Sequence, residues 1–143
     1  MIHKFTTVTI YILNNLFNFY NLFKHIVVFG SGEGPGGVLV CCENFILYKH
    51  KETEIICPFP RRNELPKDKG IMIVNFTSYK KKDFFFFLIQ SEFGDIYKVS
   101  LEFTSDIVHG ILIQYFDTIP VCVNLNCLAG GFYLFAASEV SNQ

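Results

Sequence analysis

Tryptophan is absent from the 143 residues, proline occurs five times, and only 17% of positions are charged. Twelve Lys and Arg stand against thirteen Asp and Glu for a formal net charge of -1. No long-range field therefore draws the chain to nucleic acid or anionic lipid, and a charge-driven partner has to be met by a local patch. Cysteine occurs five times, at 41, 42, 57, 122 and 127, an odd number without a CxxC pair. That spacing argues against a disulfide framework and for a reducing compartment. GxSxG, HExxH and paired-carboxylate patterns are missing too, so no enzyme class is indicated. What the chain does have is apolar bulk: 50% hydrophobic residues, seventeen Phe and seven Tyr, with a mean hydropathy of +0.32. This is enough for one domain with a sizeable core, and it excludes disorder as the default. The surplus of Phe, Ile, Asn, Lys and Tyr follows the codon usage of an A+T-rich genome, so aromatic counts carry no functional weight.

Residues 5–29 are long enough to cross a hydrocarbon core of about 30 Å as a helix. Asn14, Asn15, Asn18 and Asn21 interrupt that stretch, with Lys24 and His25 behind them, and each amide in lipid without a partner costs roughly a kcal/mol or more. A cleaved leader needs an unbroken apolar run and a small-residue exit, which only Lys4 and residues 8–13 approach. The reading is an amphipathic segment or translated non-native sequence. A small membrane-associated protein anchored by residues 5–29 stands as an alternative.

Beyond residue 25 the apolar residues fall into nine short runs: 25–29, 37–42, 45–49, 71–78, 84–90, 96–103, 111–116, 121–127 and 132–137. Turn signals separate them, including Glu43-Asn44, Gly94 within 91–95 and Ala129-Gly130-Gly131. Short runs with tight links predict antiparallel meanders, an all-β class without long helices. In 96–103 the alternation puts Ile96, Lys98, Ser100 and Glu102 on a wet face, with Tyr97, Val99, Leu101 and Phe103 on a dry one. Residues 84–89 are apolar throughout and should be buried on both faces, as in an inner strand of a sandwich or propeller. Residues 57–69 (CPFPRRNELPKDK), with three prolines and a cluster of charges, should form an exposed excursion.

Gly32-Glu33-Gly34-Pro35-Gly36-Gly37 matches GxGxxG formally, but a strand-like run follows where a phosphate site needs a helix, so a tight turn is expected. Cys41 and Cys42 fall on opposite faces of a strand, as do Cys122 and Cys127. His3, His25, His50 and His109 are scattered, so no metal site is expected and buried thiols are. Two basic clusters remain. Lys80, Lys81 and Lys82 read as a solvated hairpin tip guarding against edge pairing. Arg61 and Arg62 are the better candidates, since a guanidinium fork makes planar, bidentate contacts with carboxylate or phosphate. These five residues are the candidate contacts for a neighbouring blade, a partner subunit or nucleic acid.

GEGPGGVLVCCENFILYK (32–49), CPFPRRNEL (57–65), KGIMIVNF (69–76), FFFLIQSEFGDIYKVSLEF (85–103) and IQYFDTIPVCVNLNCLAGGFYLFAASE (113–139) closely resemble the splicing factor 3b subunit 3 family. These are large triple-propeller proteins of the U2 small nuclear ribonucleoprotein, related to propeller subunits of damaged-DNA-binding and cleavage-and-polyadenylation complexes. The resemblance implies about two blades of a WD40-like β-propeller over residues 25–143, cut from the first propeller of a longer protein. Residues 1–24 form a segment unlike the family. It further implies a nuclear, non-catalytic scaffold for pre-mRNA splicing that holds other splicing factor 3b subunits, one a helical-repeat protein and one a small helical protein. No cofactor and no membrane are expected, and RNA contact is indirect or weak. A nucleic-acid-binding propeller module is the remaining alternative. Each blade of a propeller buries its faces against two neighbours, so a pair of blades alone should be poorly soluble.

Overall fold

The computed structural model describes residues 24–30, 32–82 and 84–121, and the backbones of two later strands. Ten strands form in chain order: β1 (Lys24–Val27), β2 (Val38–Cys41), β3 (Phe45–His50), β4 (Thr53–Pro58), β5 (Ile73–Lys81), β6 (Phe84–Ser91), β7 (Asp95–Thr104), β8 (Ile107–Thr118), β9 (Asn124–Leu128) and β10 (Tyr133–Ala137). They make two four-stranded meanders, ordered β1-β2-β3-β4 and β5-β6-β7-β8, and a β9–β10 hairpin. Every pairing is antiparallel. No helix forms among the described residues. The all-β meander architecture expected for propeller blades is what the chain adopts. Of the anchoring stretch 5–29, residues 5–23 lie outside the described residues while Lys24–Val27 is strand β1; residues 1–23 of the segment expected over 1–24 lie outside them too, as do the side chains of Cys122 and Cys127.

Period-two alternation sorts the side chains into three apolar layers. Leu39, Cys41, Ile46 and Tyr48 of the first sheet face Phe85, Phe87, Ile89, Tyr97 and Val99 of the second, all in one buried cluster. Val38, Val40, Cys42 and Leu47 lie on the far side of the first sheet. Tyr79, Phe86, Leu88 and Ile96 lie on the far side of the second. Cys41 and Cys42 thus point to opposite faces, as the strand reading requires. Burial pushes the Cys41 thiol up to about 12, helped by Cys42, and that of Cys42 to about 11. Strand β6 is buried at every position after Phe84, which is the inner-strand behaviour its unbroken apolar run predicted.

Three expectations need correction. A strand missing from the sequence reading, β4, runs as an edge, its Thr53, Ile55 and Cys57 half-buried while Glu54, Ile56 and Pro58 are exposed. An edge position tolerates both the proline and the charge, which had disguised the alternation. Nor is the excursion from 57 to 69 wholly exposed, because Phe59 and Leu65 are 5% and 7% accessible and join the main core. Ile96, assigned to the wet face of β7, is fully buried against Tyr79, Phe86 and Leu88, because that face carries its own apolar layer.

The GxGxxG segment makes the β1–β2 turn. Gly36 N donates to Phe29 O at 2.7 Å and Val28 N to Gly37 O at 2.9 Å. Gly37, at φ +96°, has no room for a side chain between His50 and Tyr48, so the turn needs a glycine there for its backbone geometry.

Candidate functional site

Strand direction gathers the loops at two ends. One end holds the β2–β3 turn, the 59–72 connection, the β6–β7 turn and the exit of β8. The β1–β2, β3–β4, β5–β6 and β7–β8 turns lie at the other. The five candidate residues divide between these ends.

At the first end Arg62 leaves the connection after β4 and crosses to the second sheet, where its Nη2 donates to Asp95 Oδ1 at 2.8 Å. Asp95 opens β7 and is fully buried. Its Oδ1 also accepts from Thr118 Oγ1 at 2.7 Å, and the Thr118 hydroxyl lies 2.6 Å from Tyr115 Oη. A register shift between Ile96 and Tyr97 leaves Phe116 without a partner and sets Tyr97 opposite Tyr115, which aims both rings at this cluster. Tyr97 stacks on Phe59 at 6.0 Å and meets Tyr115 edge-on at 6.4 Å. Burial first, and then the Asp95 charge, raise the Tyr97 phenol to about 12. The hydrogen bond to Asp95 is the main cause raising the Arg62 guanidinium above its ordinary value. A carboxylate removed from water needs its partner, so this contact docks the connection after β4 onto the second sheet.

Arg61, the neighbouring candidate, turns the other way. Its Nη2 donates to the carbonyls of Pro66 and Lys69, closing the loop on itself. Of the two arginines, Arg62 is the one that reaches the second sheet.

The second clasp lies at the opposite end. Lys80 Nζ sits 2.8 Å from Glu33 Oε1 in the β1–β2 turn and 5.5 Å from the centre of the Phe29 ring. Lys80 therefore reaches the β1–β2 turn of the first sheet and is not the solvated tip residue expected, because the wide glycine turn folds over to meet it. Lys81 and Lys82 are exposed, and Lys82 takes φ +54° in the turn. The structure does not bring Lys81 or Lys82 to the Arg62 cluster.

Sequence reasoning missed Asp95, Thr118, Tyr97 and Tyr115. An aspartate beginning an alternating strand looks like a turn residue, and its burial depends on a guanidinium from 33 positions upstream. The chain leaving β8 is held by the same neighbourhood: Gln90 Nε2 lies 3.3 Å from the carbonyl oxygens of Ile119 and Pro120, and Ile119 N donates to Gly94 O at 3.0 Å. Segments PFPRRNEL, SEFGDIY and YFDTIPV, scattered in sequence, thus converge on one ion pair whose carboxylate is buried. Among the described residues no group of three or more His, Cys, Asp or Glu is placed to hold a metal. No described helix is long and apolar enough to cross a membrane.

A family model described as the RSE1/DDB1/CPSF1 first β-propeller matches residues 7–143. The Spliceosome-associated protein 130 A of Arabidopsis thaliana is 44% identical over 119 residues, covering 82% of this chain and 10% of the relative. Splicing factor 3B subunit 3 of Danio rerio is 46% identical over 122 residues, with 82% and 10% covered. Pre-mRNA-splicing factor RSE1 of Mycosarcoma maydis is 43% identical over 116 residues, with 78% and 9% covered. The chain spans about a tenth of the length of the curated relatives it matches.

Proposed function

Since the chain belongs to the RSE1/DDB1/CPSF1 first β-propeller family, we propose that it serves as a non-catalytic scaffold segment of the splicing factor 3b complex. In this reading it acts in the nucleus, within the U2 small nuclear ribonucleoprotein, and helps to hold the helical-repeat and small helical subunits during pre-mRNA splicing. The names of the three relatives above, at 43–46% identity, support the splicing role.

The observation that carries the scaffold part is the pair of cross-sheet clasps, Arg62 to Asp95 at one end and Lys80 to Glu33 at the other. Anchoring at both ends suits a part that presents loops at fixed positions, since prepositioned surfaces bind at lower entropic cost. Affinity purification of the tagged native gene product from nuclear extract tests the proposal. Stoichiometric recovery of the other splicing factor 3b subunits and of U2 RNA is expected. Recovery of the tagged product free of splicing proteins would overturn it.

A further inference from the structure

Beside the Arg62 clasp lies a cleft of about 460 Å³. The β2–β3 turn contributes Glu43 and Asn44, the strand exit contributes Pro58, Phe59 and Arg61, and residues 67–71 close the other side. Volumes of this size accept several side chains of a bound segment.

Its walls are held before anything binds. Asn44, at φ +71°, donates its N–H to Ile71 O and accepts from Phe59 N at its own carbonyl, both at 2.9 Å. Its side-chain Oδ1 accepts from Ile71 N, also at 2.9 Å. Arg61 bonds the Pro66 and Lys69 carbonyls across the loop, and the buried Leu65 pins the loop to the core. The polar wall is therefore a built surface and not a loose turn.

Charge then indicates the occupant. Arg61, Lys67 and Lys69 face the cleft with Glu43 and Asp68, and none of the five makes an ion pair among the described residues. The balance is one positive charge, three cations less two anions. A guanidinium bonded only to neutral carbonyls keeps its attraction for a carboxylate. The lining aromatic, Phe59, is 5% accessible and stacked on Tyr97, which leaves no ring face for a base.

We propose that this cleft receives a short acidic peptide segment of a protein partner, its carboxylates taken by Lys67, Lys69 and Arg61. The proposal rests on the scaffold reading and locates one docking site for it. Two measurements on the full-length native protein test it. In the first, fluorescence anisotropy follows a labelled octapeptide of alternating Glu and Gly, and an octameric oligouridylate as the competitor class. Saturable peptide binding is expected, weakened at least tenfold by Lys67→Gln with Lys69→Gln and unchanged by Lys51→Gln in the β3–β4 turn at the opposite end. In the second, Asp68 is replaced by photoreactive p-benzoylphenylalanine and the purified complex is irradiated, with an adduct on an acid-rich protein segment expected. Absence of saturable peptide binding, an unchanged affinity in the double variant, equal affinity for the RNA, or an adduct on RNA or a neutral segment each overturns the cleft assignment. An intact complex with any of those results leaves the scaffold reading standing, whereas failure to co-purify with splicing proteins strikes the scaffold reading itself.

Discussion

Arg62 and Asp95 show how much one pair of side chains can decide. Asp95 is fully buried and takes one hydrogen bond from Arg62 and one from Thr118. Arg62→Ala is therefore expected to lower the melting temperature more than Arg61→Ala, whose bonds go to carbonyls of its own loop. Equal shifts in a thermal melt would contradict the clasp. Thr118→Val removes one donor to the carboxylate and should cost about 1–2 kcal/mol in a denaturant titration. The buried acids that ionise late set a second expectation. Cys41 is pushed from 9.0 to about 12, Cys42 to about 11, and Tyr48 and Tyr97 from 10.0 to about 12. Each is harder to ionise folded than unfolded, so its contribution is complete below pH 9 and is lost as the pH climbs towards 11–12. Denaturation midpoints should fall steadily from pH 9 upward, and a flat or rising series would refute this.

Among the elements, β6 and the turn after it matter most. Burying Phe87 between the sheets makes it part of the main core and brings it against Phe29 and Phe85. Phe87→Ala is expected to cost about 3–5 kcal/mol, read from chemical denaturation. In the β6–β7 turn Gly94 holds φ +86°, and a Cβ there would run into the Ile119 carbonyl oxygen. Gly94→Ala should cost roughly 1–3 kcal/mol and should loosen the chain leaving β8, visible as faster amide exchange at Ile119, whose N–H bonds Gly94 O. Much of this was legible beforehand. The opposed faces of Cys41 and Cys42 follow from a two-residue period, the inner position of β6 from its unbroken apolar run, and the β6–β7 turn from Gly94. Strand β4 was not legible, because as an edge it mixes Glu54 and Pro58 with its inward residues and its pattern lacks contrast.

For the whole molecule, the two sheets are joined by a shared core and clasped at both ends, yet they leave apolar surface uncovered. Phe116 is 56% exposed, Ile107 66%, Phe84 50% and Ile56 52%. Exposed side chains of this size, next to unpaired strand edges, favour self-association. The chain expressed by itself should therefore elute from size-exclusion chromatography with light scattering as aggregates or oligomers. A compact monomer that melts cooperatively would argue that these faces need no neighbour.

Length, alternation and turn chemistry by themselves determined that this chain forms short antiparallel strands with an inner strand buried on both sides, and its motifs were enough to indicate the propeller family. Such features are local: they depend on which residues sit two positions apart or flank a glycine. Which candidate cation does what was decided only by tertiary structure. Arg61 and Arg62 are adjacent and chemically alike, yet one closes its own loop while the other spans to a buried carboxylate, and Lys80 meets a glutamate 47 positions earlier. Such pairings arise when separate sheets stack: apolar burial brings the elements together, and a carboxylate taken out of water at Asp95 then requires a guanidinium beside it, a condition no stretch of neighbouring residues can express.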